Sequence, residues 1–399
     1  MSDAFIPVLL AGLLLTGLPS AVMVGYLTLL TLLSGRLPAP APSRQARFVV
    51  LVPAHNEAEV IERTVRSLLQ LDYPPEQFRV QVVADNCTDA TAALAEAAGA
   101  RVWVRQDDTA RGKGYALRFA YAKVLAEGWA DAVVVVDADT EASSNLLSAF
   151  AARLATGAGA VQAYYGVLNP DASWRTRLVT IALALFHRLR GRARVRLGTS
   201  NKLNGNGMCF SVNTLQRVPH EAFSIAEDLE YGIALTRAGL VVDYADEASV
   251  LAEMVSTAQA AQSQRQRWEG GRAQMRQQHG WPLFALALRT RSLRLLDQSF
   301  ELLLPPLSTV LLWVLAFAAL GLTAWLTQGW LWAAELAACL LVALIAHVLR
   351  GVALSGLGRQ GWLTLAAAPA YVVWKLLLRL PRASQASAWV RTTREKSRG

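Results

Sequence analysis

Five short clusters of ionisable and amide side chains follow one another along this chain: Pro53-Ala54-His55-Asn56-Glu57, Ala84-Asp85-Asn86, Asp137-Ala138-Asp139, Glu227-Asp228 and Gln264-Arg265-Gln266-Arg267-Trp268. Each has a plain use and a chemical one. Asp137 and Asp139 directly follow the run Val133-Val134-Val135-Val136. Carboxylates two positions apart at a turn out of a strand can aim at one divalent cation, Mg2+ or Mn2+, which then bridges to phosphate oxygens. The plain use is a helix cap beside a solvated acid. Asp85 either accepts hydrogen bonds from a base or ribose or closes an Asx turn. Lys113, between Gly112 and Gly114 at a helix start, suits phosphate, although the spacing is not that of a Walker A loop. In Asn204-Gly205-Asn206-Gly207-Met208, the glycines flanking Asn206 permit close backbone approach or a tight turn. Glu227 and Asp228 open a helix, where acids complement the dipole or, projected into a cleft, serve as a general base. Arg267 suits a diphosphate bidentately and Trp268 suits a sugar face or a nucleobase, unless this is simply an amphipathic surface helix.

The elements that must position these groups alternate. Strands are predicted at Arg47–Pro53, Phe78–Ala84, Arg101–Val104 and Ala132–Val136, with helices at Ala58–Leu71, Ala92–Ala98 and Tyr115–Glu127. Thr88-Asp89-Ala90-Thr91 reads as the cap of the second helix. The alternation predicts an α/β domain with a mostly parallel sheet, whose ligands bind at the carboxyl ends of the strands. Glu57, Asp85, Asp137 and Asp139 all fall at such ends.

The rest of the chain is far more apolar. Of 399 residues, 53% are hydrophobic and 17% charged, which fits a soluble domain flanked by membrane segments. Phe5–Leu33 is uncharged and long enough to span a bilayer, and it lacks the basic start of a signal peptide. Arg36, Arg44 and Arg47 then place the following side in the cytosol and the N-terminus outside. Further spans are predicted at Leu302–Leu326 and Leu331–Leu349. Leu283–Leu304 and Trp362–Leu380 read as helices lying in the interface, with a fourth span as the alternative for the second. The organisation is thus an anchor (1–36), a soluble domain (45–281), an amphipathic linker (282–301), two spans (302–349) and an interfacial helix with a basic tail (350–399). The arginine-rich stretch Trp174–Leu197 reads as a membrane-resting guide for a lipid or as a basic loop. The net charge of +9 favours anionic lipid head groups over nucleic acid, since the soluble part has no basic stripe with interleaved aromatics. Three scattered cysteines and five histidines without ligand spacing indicate neither disulfides nor zinc.

Taken together, Pro53-Ala54-His55-Asn56-Glu57, Ala84-Asp85-Asn86, Asp137-Ala138-Asp139, Glu227-Asp228 and Gln264-x-x-Arg267-Trp268 resemble, in order and spacing, the membrane-bound family 2 inverting glycosyltransferases. That group includes cellulose, hyaluronan and poly-N-acetylglucosamine synthases and ceramide glucosyltransferases. The resemblance covers about 47–281. It implies a GT-A nucleotide-sugar-binding domain in the cytosol of a plasma (bacterial inner) membrane protein. It also implies metal-dependent transfer from a nucleotide sugar, a UDP-sugar among the candidates, to a lipid or polysaccharide acceptor. By that analogy Glu57 and Asp85 hold the nucleoside, Lys113 meets the base or diphosphate, and Asp137 and Asp139 hold the metal and diphosphate. Asp228, beside Glu227, is the catalytic base. Gln264, Arg267 and Trp268, with Gly205, Asn206 and Gly207, close the acceptor and diphosphate end. Ala226 departs from the Thr usual before Glu-Asp, and three or four spans are fewer than the polymer synthases carry. Partner subunits for export are left open. The alternatives are a nucleotidyltransferase or a nucleotide-sugar-binding regulator, which need Asp137 and Asp139 but not Asp228 or the Gln-Arg-Trp segment. A transporter would need ionisable groups within the spans.

Overall fold

A computed structural model describes residues 5–254 and 258–367. In chain order its elements are α1 (Phe5–Leu32), β1 (Phe48–Ala54), α2 (Ile61–Leu69), β2 (Phe78–Asp85), α3 (Thr91–Ala97), β3 (Arg101–Arg105), α4 (Lys113–Glu127), β4 (Ala132–Val135), β5 (Thr140–Ala142), α5 (Leu146–Ala155), β6 (Ala160–Val167), α6 (Trp174–Leu183), α7 (Arg190–Leu197), β7 (Met208–Ser211), α8 (Val212–Arg217), α9 (Glu227–Arg237) and β8 (Val242–Ala252). The helical remainder is α10 (Ala258–Met275), α11 (Trp281–Thr290), α12 (Leu293–Leu303), α13 (Leu307–Gln328), α14 (Leu331–Leu354) and α15 (Gly358–Thr364).

The sheet runs β3-β2-β1-β4-β7-β6-β8-β5. The strands β3, β2, β1 and β4 are mutually parallel, while β7 is antiparallel to both β4 and β6. Continuous β-branched runs explain the central strands, because both faces are covered: Val50, Val52 and Val134 pack with α2 and α5, and Val49, Leu51 and Val133 with α4 and α9. One consequence of topology positions the site. An antiparallel strand begins where its parallel neighbour ends, so β7 brings Asn206 and Gly207 to the carboxyl end of β4. The bonds Gly207 N to Val135 O (2.9 Å) and Asp137 N to Asn206 Oδ1 (3.1 Å) fasten the two there.

Among the described residues, three helices, α1, α13 and α14, are long and apolar enough to cross a membrane. They pack closely through small residues: a Cβ on Gly17 would lie 2.6 Å from Phe317, and one on Gly321 would lie 2.9 Å from the Ala333 carbonyl. The ends of α1 and α14 that the arginine rule assigns to the cytosol coincide, since Arg350 binds the Ser34 hydroxyl (2.9 Å) and carbonyl (3.0 Å).

Several expectations are corrected. The linker is not one amphipathic helix but a hairpin of α11 and α12, broken where Arg291 takes a left-handed backbone (φ 51°). The polar side of α12 (Asp297, Ser299 and Glu301) is buried in protein. The span placed at Leu302–Leu326 begins five residues later, because Pro305-Pro306 ends α12 and starts α13. Thr88–Thr91 forms no side-chain N-cap on α3: Asp89 instead accepts from the Thr91 amide (3.0 Å) and the Ala58 amide (3.2 Å), tying two loops together. The arginine-rich stretch is not a loop. It forms α6, a π-helical segment and α7, with Arg190 and Arg194 buried. Most of the segment Trp362–Leu380, and all of the basic tail, lie outside the described residues.

Candidate active site

Glu57 and Asp85 sit on adjacent parallel strand ends, with Ala54 paired to Ala84. The chain turns sharply after each. Asn56 (φ 56°) and Asn86 (φ 51°) both adopt the left-handed region, which asparagine tolerates better than most residues. Their side chains stitch the rim: Asn56 Oδ1 accepts from Thr88 N (2.7 Å) and Asn86 Oδ1 from Asp107 N (2.8 Å). Strained positions of this kind gather at functional sites. Asp85 is not an Asx turn. Its Oδ1 accepts from Arg105 (2.6 Å), which also reaches Asp107 (2.9 Å). The backbone amide of Glu57 donates to Thr91 Oγ1 (2.8 Å), orienting the residue at the rim.

The centre is built on Lys113. Its ammonium donates to Asp137 Oδ1 (2.5 Å) and to the Gly205 carbonyl (2.6 Å), and lies 3.7 Å from Glu227 Oε1. One cation thus joins β4's end, the loop before β7, and the first turn of α9, which are separated by up to 114 positions between Lys113 and Glu227. Burial alone would lower the Lys113 pKa, but Asp137 and Glu227 more than offset it and the net shift is upward. Gly114 has a different task from the phosphate approach read from sequence: a Cβ there would lie 2.1 Å from the Ala222 carbonyl, so it lets α4 close on the segment before α9.

Glu227 and Asp228 differ in setting. Glu227 is buried at 8% exposure, and burial, partly countered by Lys113, lifts its pKa to about 7. Asp228 is more open. Its Oδ1 accepts from Leu229 N (2.8 Å), and its Oδ2 would lie 3.5 Å from a Cβ on Gly205. Burial raises its pKa too, opposed first by Lys202. Glu227 therefore anchors Lys113, while Asp228 presents an oxygen to the cleft.

Asp139 follows Asp137 at the turn into β5, and Thr140 Oγ1 accepts from Asn206 Nδ2 (2.8 Å), which sets that turn. Among the described residues no three His, Cys, Asp or Glu side chains gather as a ready metal cage. The pair still fits Mg2+ or Mn2+, which are commonly held by one or two carboxylates with substrate phosphates completing the shell. Gln264 and Trp268 lie on α10. Gly271, one turn further on, packs against Ala226 with a Cβ-position distance of 3.2 Å. This sets α10 over the start of α9, with Trp268 41% exposed. The side chain of Arg267 lies outside the described set.

Two residues of the site escape sequence reasoning. Gln162 is fully enclosed in β6, and it fixes the glycine loop by accepting from Asn204 N (2.9 Å) and donating to the Asn206 carbonyl (2.7 Å). A lone amide within Ala160-Val161-Gln162-Ala163-Tyr164 is a signal that was there to read. Arg105 is the other, legible only once β3 is seen to lie beside β2.

Residues 45–271 match the model of a family described as Glycosyltransferase like family 2. The chain is similar to Beta-monoglucosyldiacylglycerol synthase of Synechocystis sp., 32% identical over 230 residues, covering 56% of this chain and 47% of that protein. It is 25% identical over 231 residues to Probable glycosyltransferase YdaM of Bacillus subtilis, covering 56% of this chain and 54% of the other. It thus spans about half the length of the curated relatives it matches. In three dimensions it is similar to the mannosyltransferase PcManGT from Pyrobaculum calidifontis, solved with GDP-Man and Mn2+, with a TM-score of 0.54, 18% identity, and coverage of 86% of this chain and 99% of that one. That likeness establishes the GT-A fold.

Proposed function

Because the chain belongs to glycosyltransferase family 2, we propose that it transfers a hexose from a nucleotide sugar, with a UDP-sugar as first candidate, to a hydroxyl of a lipid or glycan at a membrane, inverting the anomeric centre. The observation that carries this reading is the junction at Lys113. There Asp137 at the β4 end, the Gly205 carbonyl and Glu227 lie within 4 Å of one ammonium, with Asp228 beside Gly205. A nucleotidyltransferase needs the aspartate pair alone; Asp228 beside Gly205, with α10 packed against Ala226 just before the Glu227-Asp228 turn, favours glycosyl transfer.

In this reading Asp228 accepts the proton of the acceptor hydroxyl as that oxygen attacks the anomeric carbon. The bond from the anomeric carbon to the diphosphate oxygen breaks, and the nucleoside diphosphate departs. A single displacement inverts the centre and needs one base. Glu57 and Asp85 with Arg105 border the nucleoside end, and Lys113 lies between the aspartate pair and the base. Asp137 and Asp139 would hold Mg2+ or Mn2+, which supplies positive charge to the leaving diphosphate. Gln264, Arg267 and Trp268 of α10 are assigned to the acceptor side in this reading. Three apolar helices beside the domain, and a relative named for monoglucosyldiacylglycerol synthesis, support a lipid acceptor at a bilayer. The soluble domain (45–281) would face the cytosol, with the N-terminus on the other side. The test is to incubate membranes bearing the protein with a panel of radiolabelled nucleotide sugars and to separate the lipid extract from released nucleotide. Label entering lipid or glycan with equimolar nucleoside diphosphate supports the proposal; no label transfer from any donor refutes it.

A further inference from the structure

Two irregularities of the fold meet beside the end of α1. In β8 the pairing with β6 slips: Ala163 faces Ala245, but the next residue, Tyr164, faces Ser249. Asp246, Glu247 and Ala248 are left over as a bulge. Between α6 and α7 the helix widens into a π-helical turn, Ala184–Leu189, which carries Arg188. Bulges re-aim side chains, and π-helical turns are frequent at functional sites. Neither holds a residue of the transfer site. Together with the linker that leaves α1 they wall a cavity of about 700 Å³, lined by Arg36, Leu37 and Pro38 of the linker and by Arg188, Arg192 and Asp246. Clefts for small ligands run to roughly 300–1,000 Å³.

The cavity is tied to the ends of two apolar helices. Arg196 holds the carbonyls of Leu33 (2.9 Å), Gly35 (2.6 Å) and Arg36 (2.7 Å), just past α1. Arg188 donates to the Leu354 carbonyl at the end of α14 (3.2 Å). Arg36 follows the last residue of α1, Leu32, closely enough to lie within about 14 Å of the helix end. With α1 and α14 crossing a bilayer, the cavity therefore sits at the head-group layer.

Its charges do not balance. Asp246, whose side chain is 9% exposed, is shared by two arginines: Oδ2 accepts from Arg192 Nε (2.9 Å), and Oδ1 lies 3.5 Å from Arg188 Nε. Both Asp246 Oδ1 and Arg188 Nε are buried without a hydrogen bond among the described residues. Buried polar atoms of this kind call for a partner from outside the chain. The other acid at the cavity, Glu247, is already matched by Arg153 (2.9 Å). Arg36 is exposed, and among the described residues its guanidinium has no partner. Three guanidiniums thus share one carboxylate. We propose that the cavity binds the head group of an anionic phospholipid, with its phosphate at Arg36 and Arg192 and a head-group hydroxyl at Asp246 Oδ1. The arginine fork suits a phosphate, and basic pockets at the ends of spans take anionic head groups. A choline head group offers Asp246 no donor and brings a cation among the arginines.

The test is lipid retention by the full-length protein in detergent micelles, read by native mass spectrometry while phosphatidylglycerol is titrated against phosphatidylcholine. It does not depend on sugar transfer. Wild type should keep one phosphatidylglycerol in preference to phosphatidylcholine. Arg36→Gln should weaken that binding about fivefold, the effect of one arginine beside an anionic head group. Arg44→Gln is the control: Arg44 lies on the same linker, pairs with Asp72 (2.7 Å) and does not line the cavity, so affinity should hold. Should Arg36→Gln not fold, Arg192→Gln is read by the same criteria. Equal losses at positions 36 and 44 would mean a diffuse surface field and overturn the site, as would no preference between the two lipids. Inorganic phosphate in large excess should leave the bound phosphatidylglycerol in place. Displacement of the lipid by phosphate would assign the cavity to a soluble anion and overturn the proposal.

Discussion

Glu301 makes the sharpest stability prediction. Its two oxygens accept from Arg190 (2.7 Å each), Arg194 (2.8 Å) and Arg272 (3.1 Å), and its backbone carbonyl accepts from Arg272 as well (2.6 Å). The carboxylate is 6% exposed. Arg194 also holds Asp297, which in turn accepts from Tyr26 of α1 (2.8 Å), so the cluster links α10, α12, α7 and the first apolar helix. Glu301→Gln leaves Arg194 with Asp297 but strips Arg190 and Arg272 of their carboxylate among the described residues. Breaking a buried pair by removing one partner costs about 3–5 kcal/mol, because the remaining charge stays buried. The exposed pair Arg44–Asp72, with side chains 51% and 65% exposed, is the internal control, and Asp72→Asn should cost no more than about 1 kcal/mol. The assay is denaturant unfolding in mixed micelles followed by tryptophan fluorescence. A Glu301→Gln variant within about 1 kcal/mol of wild type would refute the reasoning. The pH dependence carries the same sign. The three arginines hold the Glu301 pKa well below its ordinary value despite burial. Its contribution is therefore full above the unfolded carboxylate value and is lost as pH falls toward the folded one.

Glu227 behaves oppositely. With a folded pKa raised to about 7, its stabilising contribution exists below the unfolded value and disappears as pH rises through 7. Glu227→Gln should therefore raise the melting temperature at pH 8 and change it little at pH 5, while loosening Lys113 and slowing transfer. Gly114→Ala places a Cβ 2.1 Å from a backbone oxygen that cannot rotate away, and circular dichroism melts should show a loss of about 1–3 kcal/mol or more. Asp139→Asn and Asp137→Asn should weaken Mn2+-dependent binding of nucleoside diphosphate, measured by calorimetry, and reduce transfer by roughly 10²–10³-fold; unchanged metal dependence in both would exclude the pair as the cation site.

The strand ends were the most legible part of this chain. The four-valine run Val133–Val136 and the period-free apolar strands read as buried on both faces, and that placed Glu57, Asp85, Asp137 and Asp139 on one edge. The contribution of β7 was not legible, because antiparallel insertion into a parallel sheet leaves no local mark in Met208-Cys209-Phe210-Ser211. The arginines of α7 misled for a physical reason. A row of alternating arginines looks like a surface for lipid phosphate, yet Glu301 and Asp297, which pair with Arg190 and Arg194, lie about a hundred positions away on a helix that looked amphipathic toward the bilayer, Arg192 pairs with Asp246, and Arg196 donates to the Leu33, Gly35 and Arg36 carbonyls.

The most direct test of the central claim compares wild type with Asp228→Asn in one preparation, measuring nucleotide-sugar affinity and single-turnover sugar transfer side by side. Donor affinity within a few fold of wild type, with transfer reduced to background, is the predicted result. Undiminished transfer by the Asn variant would contradict the account at its core.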